Sequence, residues 1–152
     1  RTANAFGASF VYTVGATHAA RQINQTDTSR TIKNVPYYDW ETLDDLRLPQ
    51  GCVMVGIELT EESVDLPSFR HPNNCAYILG PEMGSLSPAM QARCEHIVKI
   101  PTKFCINVSL AAALTLYDRT LSRGGYPARP IRPGGPKMED VTAWPAPKIS
   151  KR

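Results

Sequence analysis

"ILGPEMGSLSPAM" (residues 78–90) and "VKIPTKFCINVSLAAALTLYD" (residues 98–118) decide how this chain is read. Each opens as an apolar run and stops at a proline, Pro81 in one and Pro101 in the other. The first then meets Glu82, and the second runs into Asn107-Val108-Ser109 and a helical pattern. Proline removes a donor from a strand ladder, and a carboxylate is a poor neighbour for a buried strand end. Folding gains nothing from either arrangement, so the residues that follow these two strands are candidates for functional loops.

Working outward, "CVMVGIEL" (52–59), "CAYILG" (75–80) and "HIVKI" (96–100) read as nearly continuous apolar strands, the pattern of a buried parallel sheet. "SFVYTV" (9–14) and "VPYY" (35–38) are further strand candidates. Ser87-Pro88 is a cap followed by proline at the first helical position, opening a helix to about Cys94. Leu110, Leu114, Tyr117 and Leu121 share one face of a helix from Asn107 to about Ser122, ended by Gly124-Gly125. Asp39 reads as the cap of a helix over "WETLDDLRL" (40–48), and residues 60–74 as a connection with at most one helical turn. "RTANAF" (1–6) reads as a helix with Gly7 as its cap. No capping residue precedes Arg1, so upstream sequence, including a first strand, is expected to be missing. Strands alternating with helices predict an α/β fold with a mostly parallel sheet flanked by helices.

The 152 residues suffice for one domain with a proper core. Residues 1–123 hold 11 basic and 12 acidic side chains, whereas 124–152 hold 6 basic and 2 acidic with six of the 13 prolines. We therefore divide the chain into a nearly neutral domain, 1–123, and a basic Pro/Gly-rich tail, 124–152, suited to phosphates or simply to solvent. The apolar runs are far too short to span a bilayer, so no membrane partner is expected. Cys52, Cys75, Cys94 and Cys105 are widely spaced with no C-x-x-C pair. That argues for free thiols in a cytoplasmic protein and against a zinc site. Scattered His18, His71 and His96 likewise indicate no metal. Neither G-x-G-x-x-G nor a P-loop is present, which leaves a generic nucleotide-binding enzyme without support.

Ligands of parallel α/β sheets sit beyond the carboxyl ends of the strands. Ile57-Glu58, Leu79-Gly80 and Ile100 are three such ends, and a helix opening at Asn107 offers free N–H groups beside them. A ligand held there is expected to contact Gly80 closely, because glycine has no side chain in the way.

"LGPEMGSLS" followed by "IPTKFCINVSLAAALTLYD" resembles the second and third motifs of the SpoU/TrmH family of SPOUT RNA methyltransferases, and "RTANAFGA" resembles the end of the first. The resemblance covers about residues 1–121. It implies a parallel sheet with a C-terminal trefoil knot, and transfer of a methyl group from S-adenosylmethionine to a ribose 2′-hydroxyl of RNA. It further implies a homodimer joined through the last helix. Carried over position by position, it assigns catalytic roles to Arg1, Glu82, Asn107 and Ser109. Cofactor contacts fall to Ile57, Glu58, Leu79, Gly80, Ile100, Cys105 and Ile106. Arginine keeps its proton to a pKa of about 12 or above, so Arg1 would position the hydroxyl and stabilise the alkoxide, not abstract the proton. Cys105 stands where the family usually has serine, and the loop after Pro101 is short and lacks glycine. These departures support a rival reading, a non-catalytic RNA-binding module that keeps the fold. Between substrates, tRNA is preferred to rRNA.

Overall fold

The run after Cys52 becomes the centre of the main sheet because it is apolar on both faces. The computed structural model describes residues 1–16, 34–81, 84–124 and 126–137. In chain order these form α1 (Thr2–Ala5), β1 (Val11–Val14), β2 (Tyr37–Trp40), β3 (Val53–Ile57) and β4 (Val64–Asp65). A 3-10 turn (Leu66–Ser68) leads to β5 (Cys75–Leu79), α2 (Pro88–Arg93), β6 (His96–Lys99) and α3 (Val108–Arg123). Four strands pair in the order β4-β6-β3-β5, β1 and β2 pair separately, and all pairings are parallel.

Successive residues of a strand face opposite sides, and the core divides accordingly. Met54 of β3 and Ile78 of β5 join Leu46, Leu86 and Met90 on one face, with Tyr12, Val14 and Trp40 of the small sheet packed against them. Val55, Ile57 and Val98 join Leu66 on the other, beside Phe69 and Tyr77. Gly56 allows a close approach within the sheet: a Cβ there would lie 2.8 Å from Ile97 Cδ1 and 3.1 Å from Cys94 Sγ. Tyr12, Tyr77, Cys52 and Cys94 all have their pKa values pushed up, chiefly by burial. All four cysteines are free.

Several elements differ from the sequence reading. The helix expected over 40–48 is absent: β2 extends through Asp39 to Trp40, and turns follow. Asp39 Oδ1 accepts from Thr13 Oγ1 across the strand pair at 2.5 Å, while Thr42 Oγ1 donates to Asp45 Oδ2 and Arg47 Nη1 donates to the Asp44 carbonyl. Such short-range side-chain bonds compete with helical ones, and Leu46 is buried without a helix. The strand expected at 35–38 is displaced to 37–40. Residues 64–65, read as part of a connection, form the edge strand beside β6. The strands also occupy two sheets.

Both helix starts match their capping residues. Ser87 Oγ accepts from the Met90 N–H, and Asn107 Oδ1 accepts from the Ser109 N–H at 2.8 Å. Gly7, at φ +70°, follows α1 in the left-handed conformation that ends many helices. The apolar stripe on α3 is not core. Leu110, Leu114 and Tyr117 are 58%, 44% and 52% exposed, and the inward face is instead Ala111 and Thr115. Helix α1 packs against α3. Among the described residues, no helix is long and apolar enough to cross a membrane.

Candidate functional site

Parallel pairing brings the carboxyl ends of β3, β5 and β6 to one edge. The register sets Ile57 opposite Leu79 on one side and Val98 on the other, so these ends are nearly level. Beyond them lies a cleft of about 390 Å³, within the usual range for small-molecule sites. β3 contributes Ile57, Glu58 and Leu59; β5 contributes Leu79, Gly80 and Pro81. The stretch after β6 supplies Ile100, Thr102, Cys105 and Ile106, and the start of α3 supplies Asn107, Val108 and Ala111. All seven residues expected to hold a cofactor therefore line one cavity, and Asn107 lines it with them.

The walls are held by internal hydrogen bonds. Glu58 Oε2 accepts from the Leu86 N–H at 2.7 Å and Oε1 accepts from the Leu59 N–H at 3.1 Å, so the carboxylate ties the turn after β5 to the end of β3. Gly84, at φ +121°, lets that turn form, since side chains other than glycine's are strained there. Gly80 serves the same packing: a Cβ on it would lie 3.3 Å from Leu86 N and 3.5 Å from Ser85 C. Its missing side chain makes room for the protein's own backbone, and the residue also lines the cleft where a ligand was expected to approach it. In the second loop, Thr102 N–H donates to the Ile100 carbonyl at 2.7 Å and Thr102 Oγ1 donates to the Phe104 carbonyl at 2.9 Å. That closes a tight loop without glycine.

The expected catalytic residues are less gathered. Ser109 does not line the cleft; its Oγ donates to Asn107 Oδ1 at 2.6 Å, which fixes the asparagine. Arg1 is exposed at the start of α1 and does not line the cleft. Glu82 lies outside the described residues. Sequence reasoning missed Thr102, whose value as a loop clasp has no periodic signal, and Ala111, which lines the cleft from the first turn of α3. Among the described residues, no His, Cys, Asp or Glu cluster is suited to a metal ion.

The profile of the SpoU rRNA Methylase family matches residues 1–117. This chain belongs to that family. Over 75 residues it is 32% identical to the 23S rRNA (guanosine-2′-O-)-methyltransferase RlmB of Acinetobacter baylyi, a match covering 47% of this chain and 30% of RlmB. Among solved structures it resembles the SpoU methyltransferase AviRb of Streptomyces viridochromogenes, with a TM-score of 0.67 and 21% identity over 80% of this chain and 52% of AviRb. AviRb has also been crystallised with the cofactor AdoMet. The A. aeolicus TrmH/SpoU tRNA modifying enzyme superposes with a TM-score of 0.66 and 22% identity, over 81% of this chain and 66% of its own. The chain thus spans about half of AviRb and a smaller part of RlmB. These structural likenesses establish a SpoU-type α/β fold.

Proposed function

We propose that this SpoU family member transfers a methyl group from S-adenosylmethionine to a ribose 2′-hydroxyl of RNA, with the cofactor in the cleft beyond β3, β5 and β6. The observation that carries the reading is the convergence of three strand ends and the α3 N-terminus on one cavity. The lining suits such a cofactor. Ile57, Leu79, Ile100 and Ile106 offer an apolar slot for a flat base, and the only carboxylate among the described lining residues, Glu58, is already committed to two backbone N–H groups. Polar recognition then falls to backbone groups of the 79–81 and 100–106 loops. Bound there, S-adenosylmethionine supplies an electrophilic methyl group on a sulfonium. Asn107, held by Ser109, presents its amide at the cleft; Glu82 and Arg1 keep the catalytic roles that the family resemblance assigns them.

The C-terminal trefoil knot and the homodimer belong to the same proposal. Leu110, Leu114 and Tyr117 form an exposed apolar stripe on α3, the kind of surface that soluble proteins cover with a partner. RlmB is named for 23S rRNA and the A. aeolicus protein for tRNA; tRNA is the first substrate to test. Calorimetry with S-adenosylmethionine and its demethylated product, followed by labelled-methyl transfer to tRNA and ribosomal RNA, tests the reading. Binding of neither compound refutes it. RNA binding without cofactor binding favours the non-catalytic module, whose support is Cys105 in place of serine.

A further inference from the structure

A second cavity of about 270 Å³ lies away from the cleft, lined by Arg70, His71, Asn73, Ser122 and Arg123. It sits where the loop before β5 meets the last turn of α3, and the 16 residues of α3 separate it from Asn107. At 1.5 Å per residue that is about 24 Å.

The chemistry of this corner is set by guanidinium groups. Arg119 Nη1 donates to the Pro72 carbonyl at 2.8 Å and Arg119 Nη2 to the Asn73 carbonyl at 2.7 Å, while Arg123 Nη1 donates to the His71 carbonyl at 3.2 Å. Three consecutive carbonyls that would repel an anion are thereby occupied. The Asp118 carboxylate is engaged by His71 Nε2 at 2.9 Å, and His71 Nδ1 is hydrogen-bonded to Tyr77 OH at 2.5 Å. His71 is 5% exposed, so this framework is fixed from within. Arg70 is exposed and has no hydrogen-bond or ion-pair partner among the described residues. The carbonyl end of α3 carries about half a negative charge, which three guanidiniums facing one paired carboxylate outweigh. The excess of basic residues in 124–152 begins directly after this corner.

We propose that Arg70 and Arg123, with the Asn73 side chain, form a binding site for a backbone phosphate of the RNA substrate, remote from the methylated nucleotide; Ser122 lines the cavity with its hydroxyl donated to the Arg119 carbonyl. The site rests on the methyltransferase reading and adds a contact that holds the RNA body while the cleft receives the target ribose. Phosphate contacts set register and orientation without reading sequence, so any folded RNA of tRNA size reports on the site.

The test is fluorescence anisotropy of a labelled tRNA transcript against the full chain at several salt concentrations. Arg70→Ala, which removes no internal bond, is expected to weaken binding roughly three- to tenfold at low salt and to reduce the magnitude of the log K against log salt slope by about 1. Arg70→Lys keeps the charge and should restore the slope. Affinity for S-adenosylmethionine should be unchanged in both variants. Wild-type RNA binding with an unaltered slope in Arg70→Ala overturns this site and leaves the proposed function standing. A wild-type protein that binds neither cofactor nor RNA overturns both. If inorganic phosphate stabilises the wild type but not Arg70→Ala, while RNA binding is the same in both, the site takes a free anion and the proposal fails.

Discussion

Glu58→Ala separates a structural wall of the cleft from a ligand contact. In the folded protein Glu58 bonds the Leu86 N–H at 2.7 Å and the Leu59 N–H at 3.1 Å. Leu86 itself is 5% exposed and packs with Met54 and Met90. Removing the carboxylate leaves the half-buried Leu86 N–H without its acceptor, a loss of about 1–3 kcal/mol. For a domain of this size that corresponds to a fall in Tm of roughly 4 °C per kcal/mol. Glu58→Gln keeps one acceptor, enough for the Leu86 N–H, but turns an amide NH2 toward the exposed Leu59 N–H, so it should cost about 1 kcal/mol, at the low end of the range for Glu58→Ala. Because Leu86 is tied to the end of β3 through this side chain, Glu58→Ala should also weaken cofactor binding, and Glu58→Gln should do so less. Urea titration gives the stability and calorimetry the affinity. If Glu58→Ala is as stable as wild type to within about 0.5 kcal/mol, the Leu86 bond is not what holds the turn. If stability falls while cofactor affinity is unchanged, the turn does not shape the site.

Further outcomes are expected. Asn107→Ala should cost about 0.5–2 kcal/mol of stability through loss of the α3 cap and should lower transfer, read by urea titration and single-turnover methylation. Arg1→Ala should reduce methyl transfer about 10²-fold or more with cofactor affinity unchanged; a rate above a tenth of wild type removes Arg1 from the mechanism. Leu114→Glu should convert a dimer to a monomer by light scattering, and a monomeric wild type refutes the α3 interface. Burial raises Cys52 and Cys94 above the ordinary thiol value of 9.0, so the folded state favours their neutral form. The unfolded chain then releases these protons first, and stability should be fully present below about pH 9 and fall as pH rises beyond it. Chemical denaturation between pH 7 and 10.5 checks this, and stability constant across that range contradicts it. Exposed Cys105 should be alkylated before either of these half-buried thiols.

The strands after residues 52, 74 and 95 and the caps at Ser87 and Asn107 were legible because they depend on neighbours in the chain. An apolar run cannot avoid burial, and a Ser or Asn before a helical pattern bonds within three residues. That the seven residues named from sequence would line one cleft was legible for a related reason: parallel pairing brings strand ends together, and each end is marked by a break in the apolar run. What local signals left open was decided by packing. The stretch at 40–48 has helical spacing, yet side-chain bonds at Thr42 and Arg47 and the burial of Leu46 are satisfied without a helix. The Leu110, Leu114 and Tyr117 stripe looks the same in sequence whether it faces a core or a partner, and only the placement of Ala111 and Thr115 against the sheet turned it outward. Gly80 carried no mark of its reason either. The atoms it makes room for belong to Ser85 and Leu86, which are its neighbours only after the chain has turned back on itself. The corner of Arg70 and Arg123 is the extreme case. Residues about 50 positions apart share one cavity because the last turn of α3 lies over the loop before β5, a proximity made by tertiary packing to which the periodicity of neither segment points.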